Sequence, residues 1–214
     1  MESNQNRIIL KKAKEILYPL LTIGIVFLFY YLLFSSHSFY PFDKQGNTVL
    51  MIDAQSEYIA YLRYMKRILN GKESFLYITS KTLGGDFLSI YTFYLASPFN
   101  FLLPLFEDSQ MPAFILVTSM MKMSLAGLNM YAFLRSKTDH PSFFLIACSF
   151  SYSFIAYAFI YMSNFMWLDG VMILPLVILG LEKLKNRQNK WLYPLSLCYS
   201  LMTSWYIGAM ICIF

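Results

Sequence analysis

Apolar residues come in long runs separated by short polar segments, and the lengths of those runs decide the architecture. The first, residues 16–36, matches the ~20 residues needed to cross the hydrocarbon layer. It is longer than a signal-peptide core and has no small-residue cleavage site behind it, which predicts a retained anchor. Runs at 111–134, 143–162, 168–181 and 191–214 predict four further spans, about five transmembrane helices in all. The run 87–106 is also apolar, but Pro98 and Pro104 interrupt it and Ser97-Pro98-Phe99-Asn100 reads as a turn.

Positive charge decides whether that interrupted run crosses. Arg7, Lys11, Lys12 and Lys14 precede the first span, Arg135-Ser136-Lys137 follows the second, and the segment 182–190 before the last is basic. All three share the cytoplasmic side only if 87–106 does not cross, so it is expected as a re-entrant or interfacial element within a large external first loop, 37–110. Tyr30 and Tyr31 then lie near the outer interface. Inside the loop, residues 49–70 carry helical spacing: Tyr58, Leu62, Met65 and Leu69 on one face, Arg63, Lys66 and Arg67 on another, with Gly71 as a C-cap. This predicts an amphipathic helix along the outer surface, its stripe turned to lipid or to the spans.

Composition sharpens the class. With 57% hydrophobic and only 14% charged residues, the chain lacks the charge to cover a soluble surface and reads as an all-α integral membrane protein. The net charge of +5 sits in clusters between apolar runs, the distribution that membrane topology produces, which argues against a nucleic-acid partner. Cys148, Cys198 and Cys212 lie inside apolar runs without metal-ligand spacing and are expected as small buried hydrophobes. His37 and His140 are isolated.

Candidate chemistry concentrates in four places. Asp53 and Glu57 are four residues apart on the expected helix, where two carboxylates share a face; they suit a base and its neighbour, or a plain solvated surface. Asp169, after Trp167 at the edge of a span, is either a snorkelling acid or a site residue. Lys122 lies near the middle of the run 111–134, where a charge requires a counter-ion on another helix or a water-filled site. Gly84-Gly85-Asp86 would suit a phosphate nest but lacks the flanking pattern of one, and a turn is expected.

Asp53-x-Gln55-x-x-Tyr58, Leu83-Gly-Gly85-x-Phe87, Tyr94-x-x-Ser97-Pro98-Phe99-Asn100, Trp167-Leu-Asp169, Leu174-Pro-Leu176 and Tyr206-Ile-Gly208 follow one another in order. In that order and spacing they resemble the N-terminal part of the YfhO family of bacterial multi-pass membrane proteins, over nearly all of the chain after residue 45. Members of that kind are similar to GT-C glycosyltransferases, which take a sugar from a polyprenyl-phosphate carrier on the outer face of the cell membrane. The resemblance implies an acidic residue in the first external loop that serves as the catalytic base, by position Asp53, with Glu57 supporting it, and a cell-envelope polymer such as a teichoic acid as acceptor. Family members are several times longer, and this chain stops at Ile-Cys-Ile-Phe214 inside an apolar run, so it is expected to be truncated and inactive alone.

A lipid-linked donor has its tail in the bilayer and its reacting carbon at the headgroup, so its enzyme needs a base just above the membrane. Gln55, Tyr58 and Trp167 are expected to contact the sugar. The anionic leaving group requires cations, supplied by Arg63, Lys66, Arg67 and Lys122, or a divalent ion held by Asp169. No other cofactor is implied. Two different readings stand beside this one: a transporter or flippase, with Lys122 and Asp169 lining a pathway beside the broken helix, and a non-catalytic scaffold.

Overall fold

The structure, a computed structural model, describes residues 2–79 and 84–213, with the side chains of residues 2–12 outside that description. The basic flank formed by Arg7, Lys11 and Lys12 therefore lies outside the described side chains, and Leu83 and Phe214 outside the described residues.

Helix α1 (Glu2–Ser36) is apolar on every side from Ile16 onward, yet only Tyr18, Thr22, Val26, Tyr30 and Phe34, each four residues after the last, are buried among its described side chains. A single i±4 ridge is what one helix presents to one neighbour. Ile16, Leu20, Leu28 and Leu32 are left exposed, as lipid-facing side chains are. At the far end the Tyr30 hydroxyl donates to the carbonyl of Ser153, 2.7 Å away, and the phenol joins stacked Phe34, Phe154 and Phe159.

The external loop holds α2 (Ile59–Leu69), a two-stranded ribbon of β1 (Tyr77–Ile78) and β2 (Gly85–Asp86), and the short α3 (Phe87–Ile90). Gly84 adopts φ +83 and the Tyr77 hydroxyl occupies the place of a Cβ, but Gly85 and Asp86 pair with Ile78 and Tyr77 as a strand, where a turn was expected. Asp86 caps α3, accepting from the backbone N–H groups of Leu88 and Ser89 at 2.9 Å. The Ser89 hydroxyl, which also donates to it, and then those backbone bonds hold its carboxyl below the usual carboxylate range. After α3 the chain makes a π-helical turn over Tyr91–Leu95, corners at Ser97, and leaves as a 3-10 helix over Pro98–Leu105. The two arms meet at 102°.

The core of the bundle is α4 (Met111–Arg135), packed between α1, α5 (Phe143–Ser153) and α7 (Leu168–Lys185). Gly127 makes the crossing possible: a Cβ there would lie 2.7 Å from the Ser153 hydroxyl and 3.2 Å from Val26. Short α6 (Ala156–Ile160) continues the direction of α5 toward the outer turn. Beyond α7 come α8 (Leu192–Thr203) and α9 (Trp205–Ile213).

Three helical stretches among the described residues are long and apolar enough to cross a membrane: Ala13–Ser36, Asp108–Arg135 and Phe143–Ile160. The bent pair 87–105 would be a fourth if it counted as one span. This differs from five in two places. Helix α7 has 18 residues but carries Asp169, Glu182, Lys183 and Lys185, leaving only its middle apolar. The segment 191–214 is not one rod: the chain turns back at Ser204, where a Cβ on Gly208 would come within 2.9 Å of the Leu201 backbone. The cysteines also differ from expectation, for Cys198 and Cys212 are exposed and Cys148 half-buried, on outward faces where a small apolar side chain meets lipid as readily as protein.

The segments expected on the cytoplasmic side do meet at one end. Arg135 Nε bonds Glu15 Oε2 at 3.1 Å, and Lys137 pairs with Glu182, which gathers the foot of α1, the loop after α4 and the foot of α7. The loop 37–58 and the turn 161–167 lie at the opposite end, joined by Tyr58 and Asn164. In a cysteine-free background, Lys44→Cys and Asn189→Cys should react with an impermeant thiol reagent from opposite sides of the membrane. Labelling of both from outside would overturn this arrangement.

Candidate functional site

Asp53 stands at the head of a π-helical turn, Ala54–Tyr58, that runs into α2, so the expected helix over 49–70 starts four residues late. The cause lies in the residue before it. Ile52 has φ +40, a left-handed conformation that a β-branched side chain adopts only at a cost of ~1–3 kcal/mol. This turn brings the carbonyls of Met51 and Ile52 round to accept from the N–H groups of Ala54 (3.0 Å), Gln55 (3.2 Å) and Ser56 (3.3 Å). An aspartate at a helix start ordinarily spends its carboxylate on those donors. Here it makes no such bond and is exposed, as are Gln55 and Glu57. Both a strained residue and a π-helical turn recur at functional sites, which gives the solvated-face reading of this carboxylate pair a competitor with a structural basis.

The apolar stripe of this helix faces protein. Tyr58, Leu62 and Met65 are buried and Leu69 is half-buried, against the 98–105 helix and α4. Of the two orientations expected, lipid or spans, the helix takes the second. Tyr58 donates its hydroxyl to Asn164 Oδ1 at 3.2 Å, and its ring lies 5.2 Å from Tyr94 of the bent segment. Burial, then the charge of Asp53, pushes the Tyr58 phenol up to about 12; burial and then Glu57 raise that of Tyr61. From Tyr94 a chain of rings continues through Phe93, Trp205, Tyr206, Trp167 and Tyr161 with centroids 4.5–6.5 Å apart. Trp167 thus belongs to an aromatic edge that begins at the carboxylates.

The cations expected to serve the same site lie elsewhere. Arg63 donates through Nε and Nη2 to the Asp108 carbonyl (3.2 and 3.0 Å), Lys66 bonds the Asp108 carboxylate at 2.7 Å, and Arg67 faces Glu73 at 3.9 Å. Arg63 and Lys66 clamp α2 to the turn before α4, while Arg67 pairs within the loop that follows its own helix. Lys66 is thirteen residues beyond Asp53, about 20 Å along a helix. A glycosyl carbon and its phosphate are one bond apart, so Asp53 and this basic cluster do not serve one reacting centre.

Lys122 and Asp169 come together in the interior. Lys122 Nζ lies 2.7 Å from Asp169 Oδ2, with both side chains 0% exposed. The ammonium also bonds the Phe165 carbonyl at 2.9 Å and sits over the rings of Phe99 and Phe165. The other carboxylate oxygen accepts from Ser97 (2.9 Å) and Tyr199 (2.8 Å). All the stronger valences of the pair are filled by protein. Lys122 is therefore placed as a counter-ion, not as a phosphate ligand, and Asp169 as its partner, not as a ligand for a divalent ion. Among the described residues no group of three or more His, Cys, Asp or Glu side chains is arranged to hold a metal. Sequence reasoning passed over Ser97 as a ligand, Tyr199, Asn164 and Ile52; only Ser97, at its pre-proline corner, carried a visible signal.

Long apolar helices, a bent segment packed against them and a fully buried ion pair define an all-α membrane protein. Residues 21–214 match the family model described as bacterial membrane protein YfhO, and the chain belongs to that family. Comparison with curated proteins gave no match, nor did comparison with solved structures.

Removing one member of the buried pair strands the other. Lys122→Met or Asp169→Asn alone should cost ~3–5 kcal/mol in unfolding of the detergent-solubilised protein, and the double variant should regain a good part of that. Single variants as stable as the parent would show that the pair is not closed.

Proposed function

We propose that the protein is a glycosyltransferase of the bacterial cell membrane, a multi-pass protein that moves a sugar from a polyprenyl-phosphate carrier to a cell-envelope acceptor such as a teichoic acid. The observation that carries this reading is the Asp53 carboxylate, exposed at the outer end of the bundle and released from capping by a strained residue. A base needs a free lone pair within reach of an acceptor hydroxyl, and this carboxylate has one where a lipid headgroup would lie. Asp53 takes the proton of the acceptor hydroxyl as that oxygen bonds to the glycosyl carbon; the bond from that carbon to the phosphate oxygen breaks, and polyprenyl phosphate leaves with the electron pair. Glu57, Gln55 and the aromatic edge through Tyr94 and Trp167 orient the two sugars. The all-α membrane family supports the assignment; a GT-C arrangement of the whole protein is part of the proposal.

The transporter reading has one observation in its favour, the bent segment whose corner meets an intramembrane ion pair. Against it, that pair is closed on itself, with both side chains fully buried among the described residues. Membranes from cells producing the protein, supplied with radiolabelled polyprenyl-phosphate sugar, separate the readings: turnover marks the enzyme, counterflow without turnover a transporter, neither a scaffold. Asp53→Asn should lower turnover ~10²-fold or more with the fold intact, and Glu57→Gln should lower it less. Normal activity in Asp53→Asn would return that carboxylate to a solvated helix surface.

A further inference from the structure

A cavity of about 190 Å³ lies between the outer ends of α1 and α6. Its walls are Phe34, Phe39, Val49, Met51, Phe159 and Met162. Two hydroxyl residues, Thr48 and Ser163, also line it. Phe34 and Ile160 stand at the outer ends of the membrane-crossing stretches Ala13–Ser36 and Phe143–Ile160, which puts the cavity at the boundary of acyl chains and headgroups. Both polypeptide segments that line it run on directly into the candidate site. Met51 is two residues before Asp53, and Ser163 is followed by Asn164, whose carboxamide oxygen is held by Tyr58 so that its N–H₂ group remains a donor.

We propose that this cavity seats the phosphate-proximal isoprene unit of the lipid carrier. The identity of the lipid rests on the glycosyl-transfer reading; the location rests on the cavity. Three features select such an occupant. An apolar cavity of ~150 Å³ holds one benzene-sized group, so this one takes about one isoprene unit and the start of the next, not the two chains of a phospholipid. The walls are apolar and the polar groups few, which suits an amphiphile entering chain first. The chain's phosphate end then emerges beside Ser163 and Asn164, neutral donors to its oxygens, with the glycosyl carbon on the Asp53 side. This answers the distance problem set by Lys66 and Arg67, since Asn164 is bonded to Tyr58, five residues after Asp53, whereas Lys66 lies about 20 Å along the helix.

The test uses a farnesyl phosphate with a photoreactive diazirine on its first isoprene unit, applied to membranes containing the whole protein, with a diazirine-bearing phosphatidylglycerol in parallel. The prenyl probe should label residues 48–51 or 159–163, be displaced by unlabelled farnesyl phosphate, and lose ~10-fold or more of its labelling in Thr48→Trp, which fills the cavity from its exposed rim, but not in Thr48→Ala. Equal labelling by the phospholipid probe, undisplaced by farnesyl phosphate, would make the cavity an ordinary lipid contact and overturn the proposal; so would prenyl labelling elsewhere. Turnover of labelled donor in the same membranes is read separately. Turnover without labelling in the cavity refutes the subsite and leaves the transferase; cavity labelling without turnover refutes the transferase and leaves the subsite; the absence of both refutes both.

Discussion

A lysine eleven residues into α4 must find an anion, because an unpaired ammonium among apolar helices costs several kcal/mol. Lys122 finds Asp169, and the way it does so determines the rest of the bundle. The carboxylate sits in the first turn of α7, where the helix dipole already favours negative charge. Its remaining oxygen draws in Ser97 from the corner of the bent segment and Tyr199 from α8. Four elements far apart in the chain thus converge on one charge pair. The corner of the bent segment is thereby carried into the bundle, where its interrupted backbone is shielded by protein, the condition under which non-helical backbone is tolerated at membrane depth.

That insertion positions the outer chemistry. With Ser97 fixed, the π-helical arm before it carries Phe93 and Tyr94 outward against Tyr58, Tyr61 and Trp205. The 3-10 arm after it supplies a wall for the apolar stripe of α2. The helix bearing Asp53 and Glu57 is then held from both ends: by Tyr58 and its bond to Asn164 near the carboxylates, and by Arg63 and Lys66 on Asp108 at the other. The intramembrane charges and the surface carboxylates have separate tasks, the former building the platform on which the latter stand. In this arrangement the basic end of α2 is architectural, holding the helix against the segment before α4.

Much of this was legible in the chain. The apolar runs, with Pro98 and Pro104 between them, suffice to predict an interrupted and bent segment, because a proline inside an apolar run breaks the helix there. The stripe Tyr58, Leu62, Met65 was visible from its period. Rise per residue also places Lys66 far from Asp53, a consequence that shared membership of one helix obscured. The pairing of Lys122 with Asp169 was not legible, since 47 residues separate them and helical period says nothing about which helix lies opposite. Nor was the reversal at Ser204, where no proline or glycine stands; Ser200 and Thr203 sit in the last turn of α8, and the Thr203 hydroxyl bonds back to the Tyr199 carbonyl, loosening a helix end that composition alone reads as continuous.

The strain at Ile52 follows from the same packing. Val49 is buried against the outer end of α1 and Ala54 is fully buried beneath the start of α2, so the chain between them must leave one interior site and return to another within four residues. Met51 and Ile52 are pushed outward, 63% and 85% exposed, and the left-handed turn at Ile52 closes the excursion. No local preference of Met-Ile-Asp favours this; two buried anchors impose it. The imposed turn aims the carbonyls of Met51 and Ile52 at the N–H groups that an aspartate side chain would otherwise take. The freedom of the Asp53 carboxylate is thus a product of how the loop before it packs, and a change that relaxed the anchors would let that carboxylate fall back onto its own helix as a cap.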